Sequence, residues 1–207
     1  AGGLGVTTGN NNVAVGRYAG YDLTSGPGNV LVGYNAGGNV TTGEYNVVIG
    51  YNALVTATTL HHNNIAIGKS ALGGNATEPG SGTVNSLAIG TEALLVQNHA
   101  DAINLAIGYQ AGKAITSGSN NTLIGYQSGN TLAATGTHVG KECTAVGYNA
   151  LKLATGARNT AMGHKALLEV AAGTDNVAVG WNALAAIDAG ESNNVAVGSG
   201  ALEFIDD

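Results

Sequence analysis

The sequence predicts an all-β fold: a parallel β-solenoid of about eleven coils running through residues 1–207 as a single domain. Three observations predict it. A nine-residue phrase recurs eleven times, its clearest copy being Asn176-Val177-Ala178-Val179-Gly180-Trp181-Asn182-Ala183-Leu184. The copies follow one another at a short, steady spacing, which marks a solenoid rather than a globular domain. Within each copy apolar residues alternate with period two, which marks a strand.

The other copies begin at Asn12, Asn29, Asn46, Asn64, Ser86, Asn104, Asn121, Cys143, Asn159 and Asn194. Their glycines, with that of the clearest copy, are Gly16, Gly33, Gly50, Gly68, Gly90, Gly108, Gly125, Gly147, Gly163, Gly180 and Gly198. The steps between these are 17, 17, 18, 22, 18, 17, 22, 16, 17 and 18 residues.

Each phrase opens as Asn-b-Ala-b-Gly, where b is mostly a β-branched or other aliphatic residue. The b positions, such as Val13 and Val15 or Ile65 and Ile67, point to one face of the strand, and Ala14, Ala66 and Ala178 to the other. Both faces are apolar, the pattern of a strand covered on both sides. One face is the interior of the coil. The other needs a further layer, and small alanines suit close approach of another chain, so the expectation is self-association through the alanine face. Glycine after the strand permits a bend or a backbone contact that a side chain blocks.

A second short apolar piece, Ala-Leu or Ala-Gly, follows the bend, and then a turn. Its glycines, Gly9, Gly26, Gly43, Gly82, Gly118, Gly156 and Gly173, each lie three residues before an Asn, and Gly190 lies four before Asn194. In a regular stack those Asn side chains lie one above another and either hydrogen-bond along it as a ladder or serve simply as turn residues. Each repeat is thus expected to supply two short strands and two turns. At ~3.3 Å per residue, so short a repeat encloses no wide interior, and a flat two-sided roll fits best. Eleven coils at ~4.8 Å make a rod on the order of 50 Å long.

Two repeats carry extra length, at Gly73 to Asn85 and Gly129 to Glu142, and insertions in a solenoid go to surface loops, often on the recognition face. Asn75, Glu78, His138 and Lys141 are the candidate receptor-binding residues there. Leu60 to Asn63 also departs from the turn consensus. The residues after the strand glycine form an aromatic stripe, Tyr34, Tyr51, Tyr109, Tyr126, Tyr148 and Trp181. It is read as a stacked ladder that protects the roll, with a sugar-binding platform as the alternative.

Composition narrows the function. With 44% hydrophobic and 10% charged residues the chain does not have the makeup of a disordered segment. Aromatic residues are only 5%, so the core is expected to be thin and filled with Val, Ile and Ala. A net charge of −6 with seven basic residues argues against nucleic acid and anionic membranes. No apolar run approaches the ~20 residues of a membrane span. The opening at Ala1 in mid-pattern and the end at Asp207 read as an excised or processed segment.

No catalytic, cofactor or metal site emerges. His61 and His62 are adjacent, so on a strand they point to opposite faces and do not chelate one ion together. His99, His138 and His164 sit in different repeats without a partner at ligand spacing. The carboxylates are scattered mostly through turns, and no phosphate-binding glycine phrase or GGxGxD repeat occurs. Cys143 takes a slot held by Asn in nine other copies, and reads as a small buried spacer rather than a reactive thiol.

From Asn12 to Leu202 the Asn-Val-Ala-Val/Ile-Gly phrase, extended as Gly-Tyr-Asn/Gln-Ala-Leu, resembles the head repeats of trimeric autotransporter adhesins of the YadA-like type. It is similar also to repeats of phage tail fibres and bacterial surface fibres. The resemblance implies a left-handed parallel β-roll, an intertwined or side-by-side homotrimer, and an extracellular role in attachment to a cell-surface glycan or protein receptor. Val179-Gly180-x-x-Ala183 also matches the hexapeptide unit of left-handed β-helix acyltransferases. That unit falls only once per coil here, and His138 is the one candidate catalytic base. An ice-binding solenoid needs a regular Thr row, and Thr24, Thr41, Thr42 and Thr116 are irregular. The reading that follows is a non-catalytic fibre head or shaft.

Overall fold

A computed structural model describes residues 8–55, 61–74, 83–97, 103–116, 118–132, 141–170, 172–187 and 190–205. The chain is an all-β parallel solenoid, with no helix among the described residues. It divides into two compact units, Ala1–Ile103 and Asn104–Asp207.

In the first unit the strands are β1 (Val13–Val15), β2 (Val30–Val32), β3 (Val47–Ile49), β4 (Ile65–Ile67) and β5 (Leu87–Ile89). Each pairs in parallel with the next, so that Val13, Val30, Val47, Ile65 and Leu87 share one column. The second unit holds β6 (Asn104–Ile107), β7 (Asn121–Ile124), β8 (Thr144–Val146), β9 (Leu153–Ala154), β10 (Thr160–Met162), β11 (Glu169–Val170), β12 (Val177–Val179), β13 (Ala186–Ile187), β14 (Val195–Val197) and β15 (Phe204–Ile205). There β6, β7, β8, β10, β12 and β14 pair successively in parallel, and β9, β11, β13 and β15 form a second parallel sheet. The two units together make about nine strand-to-strand turns.

The structure reverses the expected facing of the strands. The alanine positions are the interior: Ala66, Ala88, Ala106, Ala145, Ala161 and Ala178 are fully buried, with Leu31, Val48 and Leu123 in the same slot. The β-branched b positions look outward instead. The reason lies in the second apolar piece. Leu54, Leu72, Leu94, Leu151, Leu167 and Leu184 reach into the coil from the turn and are buried. With leucine filling the space, the side chain opposite it is alanine in five of these coils and valine, Val48, in the sixth. Of the expected Val, Ile and Ala the core is rich in alanine, with Val40, Val48, Ile115 and Val170 in a few coils, and its main large side chain is leucine instead.

These leucines sit at φ between +45° and +52°. Left-handed backbone costs a β-carbon-bearing residue about 1–2 kcal/mol, and full burial of leucine offsets that with about 1.5–3 kcal/mol. In four coils the slot is Gly20, Gly37, Gly112 or Gly129, and the core residue arrives three positions later as Leu23, Val40, Ile115 or Leu132. A β-carbon at Gly37 would come within 2.8 Å of Leu31 Cδ2. The glycine turn thus accommodates a large strand centre, Leu31 or Leu123, as well as a small one, Ala14 or Ala106, whereas the leucine turns face alanine or, in one coil, Val48.

A second strand in every repeat is not found: among the described residues only the four coils carrying β9, β11, β13 and β15 have one. In the glycine-type coils a tight turn takes its place, with Leu23 N–H donating to Gly20 O at 3.2 Å and Ile115 N–H to Gly112 O at 3.1 Å. Beyond that turn neighbouring coils still bond singly, Asp22 N–H donating to Gly38 O at 2.9 Å and Thr24 N–H to Thr41 O at 2.8 Å, without making a strand.

Glycine after the strand is required twice over. Gly147 lies at φ +137°, and a β-carbon there would overlap the carbonyl oxygen of Gly163 in the next coil. The same geometry recurs along both units.

Candidate functional site

The first candidate is internal. The Asn side chains at the strand entry form a ladder, one of the two roles left open by the sequence. Asn46 shows the pattern. Its N–H and Nδ2 both donate to Asn29 Oδ1 at 3.0 Å, and its Nδ2 also donates to the His61 carbonyl at 2.8 Å. Its Oδ1 accepts from Asn64 N–H at 3.0 Å and Nδ2 at 3.1 Å. Every hydrogen-bonding capacity of the buried amide is filled, which is what makes its burial tolerable. Where Ser86 replaces Asn, buried Gln97 supplies an amide, its Nε2 donating to Ser86 Oγ at 2.7 Å.

Cys143 interrupts the ladder of the second unit. Its N–H still donates to Asn121 Oδ1 at 2.9 Å, but its Sγ reaches the carbonyls of Lys141 and Gly156 only at 3.5 Å. Burial pushes the thiol up to about 11. It is a buried spacer and a poor nucleophile at neutral pH.

The two histidines of the irregular turn do face opposite ways. His61 is buried, with Nδ1 3.0 Å from Thr83 Oγ1 and accepting Thr83 N–H at 3.1 Å. His62 is half-buried, with Nδ1 3.5 Å from Glu44 Oε1. Among the described residues no three His, Cys, Asp or Glu side chains gather to hold a metal ion.

The aromatic stripe is present in both units. Tyr34 stacks on Tyr51 with centroids 5.1 Å apart and planes 11° from parallel. Tyr18 meets Tyr34 edge-on at 5.8 Å, with the Arg17 guanidinium 4.6 Å over the Tyr18 ring. In the second unit Tyr109, Tyr126 and Tyr148 stack at 5.1 Å spacing, and Tyr148 continues to a ring the sequence reading left out, His164, at 5.0 Å. His164 stacks in turn on Trp181 at 6.2 Å. The signal for His164 was available: it follows Gly163 in the slot that tyrosine holds elsewhere. Rings in this arrangement cover one another's faces and present edges and hydroxyls to solvent. A second side-chain ladder runs beside the first, with Asn35 Nδ2 donating to Asn52 Oδ1 at 3.1 Å and Gln127 Nε2 to Gln110 Oε1 at 2.7 Å.

Of the four candidate loop residues only Lys141 is described, and it is exposed. Asn75, Glu78 and His138, and most of both long loops, lie outside the described residues. Near Lys141, Arg158 grips Asp175 through Nε at 2.6 Å and a second nitrogen at 2.8 Å. That hydrogen bonding lowers the Asp175 carboxyl to about 2.

The third feature is the outer face of the strands. In the first unit its ten positions are all aliphatic: Val13, Val15, Val30, Val32, Val47, Ile49, Ile65, Ile67, Leu87 and Ile89. In the second unit Thr122, Thr144 and Thr160 interrupt an otherwise apolar face, and Val195 and Val197 are 66% and 70% exposed. No charged residue occurs on either. Among the described residues, no helix is long and apolar enough to cross a membrane. Comparison with family models, with curated proteins and with solved structures returned no match.

Proposed function

We propose that the chain is the head or shaft of a non-catalytic, homotrimeric attachment fibre: an extracellular left-handed β-roll of eleven coils that displays receptor-binding residues on its turns. The observation that carries this reading is the charge-free outer strand face. The interior of each coil is already full, so this face belongs to no core of its own chain. Contiguous apolar surface beyond a few hundred Å² marks an interaction site on a soluble protein.

The shape of the face favours three copies over two. It is two residues wide, with columns separated by about 7 Å, twice the rise per residue. Around a threefold axis each copy meets two neighbours, and each column is covered by one of them. Burial at about 25 cal/mol per Å² then rewards the assembly along its whole length. The resemblance to YadA-like heads and tail-fibre repeats points the same way and supplies the expected partner, a cell-surface glycan or protein. The net charge of −6 fits neither nucleic acid nor an anionic membrane as that partner.

Sedimentation velocity of the chain and of a Val32→Glu variant tests the reading. A three-chain particle that the variant weakens supports it. A stable, well-folded single chain at micromolar concentration overturns it.

A further inference from the structure

We infer that the second unit carries a saccharide-binding shelf at Trp181, taking a neutral pyranoside against the indole face that no ring covers. The inference rests on the fibre reading and names the class of ligand for it. The ring column of this unit ends at Trp181. One indole face lies on His164 at 6.2 Å and 12°. In the next coil the register that aligns Gly180 with Gly198 brings Ser199 to the ring slot and Gly200 to the slot beside it. Serine is too small to cover an indole, and glycine has no side chain at all. The column therefore leaves a gap one coil high, about 4.8 Å, directly beside the indole. Trp181 is 53% exposed, although one of its faces is stacked.

The polar edge of the gap suits a sugar. Asn182 Nδ2 donates to Glu203 Oε1 at 2.8 Å, which fixes that carboxylate beside the gap. Its other oxygen lies 3.5 Å from where a β-carbon of Gly200 would be. An indole face is electron-rich and attracts the weakly positive C–H edges of a pyranose, while an amide and a carboxylate take up its hydroxyls. The carboxylate repels acidic sugars, so the ligand is neutral, with axial hydrogens on the face it presents. The rings inside the column, Tyr126, Tyr148 and His164, have a ring on each face and offer no such seat.

Trp181 is the only tryptophan of the chain, so its emission reports this site alone. The full chain is titrated with cellotetraose, chitotetraose and, as the acidic control, sialyllactose, and its adhesion to cells is measured in parallel. A saturable blue shift with a neutral oligosaccharide is expected, at affinities around millimolar. Ser199→Tyr, which extends the stack over the open face, should weaken that binding at least about tenfold, whereas Tyr148→Ala should leave it within about twofold. Trp181→Ala should lose retention on the same immobilised sugars. No shift with either neutral sugar, or a shift that Ser199→Tyr leaves intact, overturns the shelf. Adhesion unchanged in Trp181→Ala together with no sugar response overturns it while leaving the fibre reading standing. A sugar response without any cell adhesion supports the shelf and counts against the fibre.

Discussion

Replacing Cys143 by Asn should stabilise the second unit, because it restores a rung that the ladder lacks. The neighbouring geometry fixes what is gained. At Asn46 the side chain makes two donations, at 3.0 and 2.8 Å, and accepts the next Asn N–H at 3.0 Å. At position 143 the equivalent partners are already in place: Asn121 Oδ1, the Gly156 carbonyl and the Asn159 N–H. Today they meet a sulfur whose contacts with carbonyls are 3.5 Å long. Three hydrogen bonds replace weak thiol contacts, at about 1 kcal/mol net each. Against this stand the desolvation of the amide and its lost rotamer freedom, about 1 kcal/mol. The expected gain is about 1–3 kcal/mol. It is measured by chemical denaturation of both proteins and by amide exchange at Asn159, whose protection should rise about tenfold for each 1.4 kcal/mol. A variant that is no more stable, or an Asn159 amide that exchanges as fast as before, refutes the view that the ladder is energetic rather than decorative.

The same cysteine gives the wild type a pH dependence. Its folded thiol ionises near 11 against an ordinary value of 9.0, so its contribution is complete below pH 9, is lost as pH rises from 9 to 11, and is flat beyond. The loss amounts to about 3 kcal/mol, read from denaturation midpoints across that range; the slope should vanish in Cys143→Asn, and its persistence there would assign it to another group. Asn46→Ala strips the Asn64 N–H of its acceptor and leaves the buried His61 carbonyl without the amide donor, and should cost about 2–4 kcal/mol; a loss below about 0.5 kcal/mol would mean that water takes over the rung. Gly147→Ala should be worse than an ordinary glycine substitution, more than about 3 kcal/mol, because a β-carbon there meets backbone rather than a movable side chain; thermal melts of the single variant decide it.

The repeat, its strands and the position of each bend were legible because alternation and glycine spacing are properties of local backbone, and local backbone is what a sequence pattern encodes. The facing of the strands was not. Ala66 and Ile65 are both apolar, and period two says only that they oppose each other. Which one is inside depends on what arrives from across the coil, and the volume of Leu72 decides it. The left-handed backbone of that leucine gives no sequence signal, since leucine is not a residue that favours positive φ. The aromatic stripe was legible as a column, but its break at Ser199 acquires meaning only once the column is known to be stacked. The second sheet was overpredicted for a related reason: Ala-Leu and Ala-Gly look alike as short apolar pieces, yet one continues extended in four coils while the other closes a tight turn.

The division of labour within a coil explains how one scaffold can carry different surfaces. The ladder Asn, the strand centre, the strand glycine and the turn leucine or glycine are coupled, since each touches its counterpart in the next coil or fills the same small volume. The two slots after the strand glycine lie at the surface and touch their own columns or, as Asn182 does with Glu203, a nearby turn residue. They hold Lys69 and Ser70 in one coil, Thr91 and Glu92 in another, and Trp181 and Asn182 in a third, over the same buried core of two alanines and a leucine. Substitutions there leave the coil standing, within the roughly ±0.5 kcal/mol usual for surface positions. Recognition can therefore be rewritten coil by coil without refolding the rod, and a gap in a column, such as Ser199 after Trp181, changes the chemistry on offer from ring edges to a ring face.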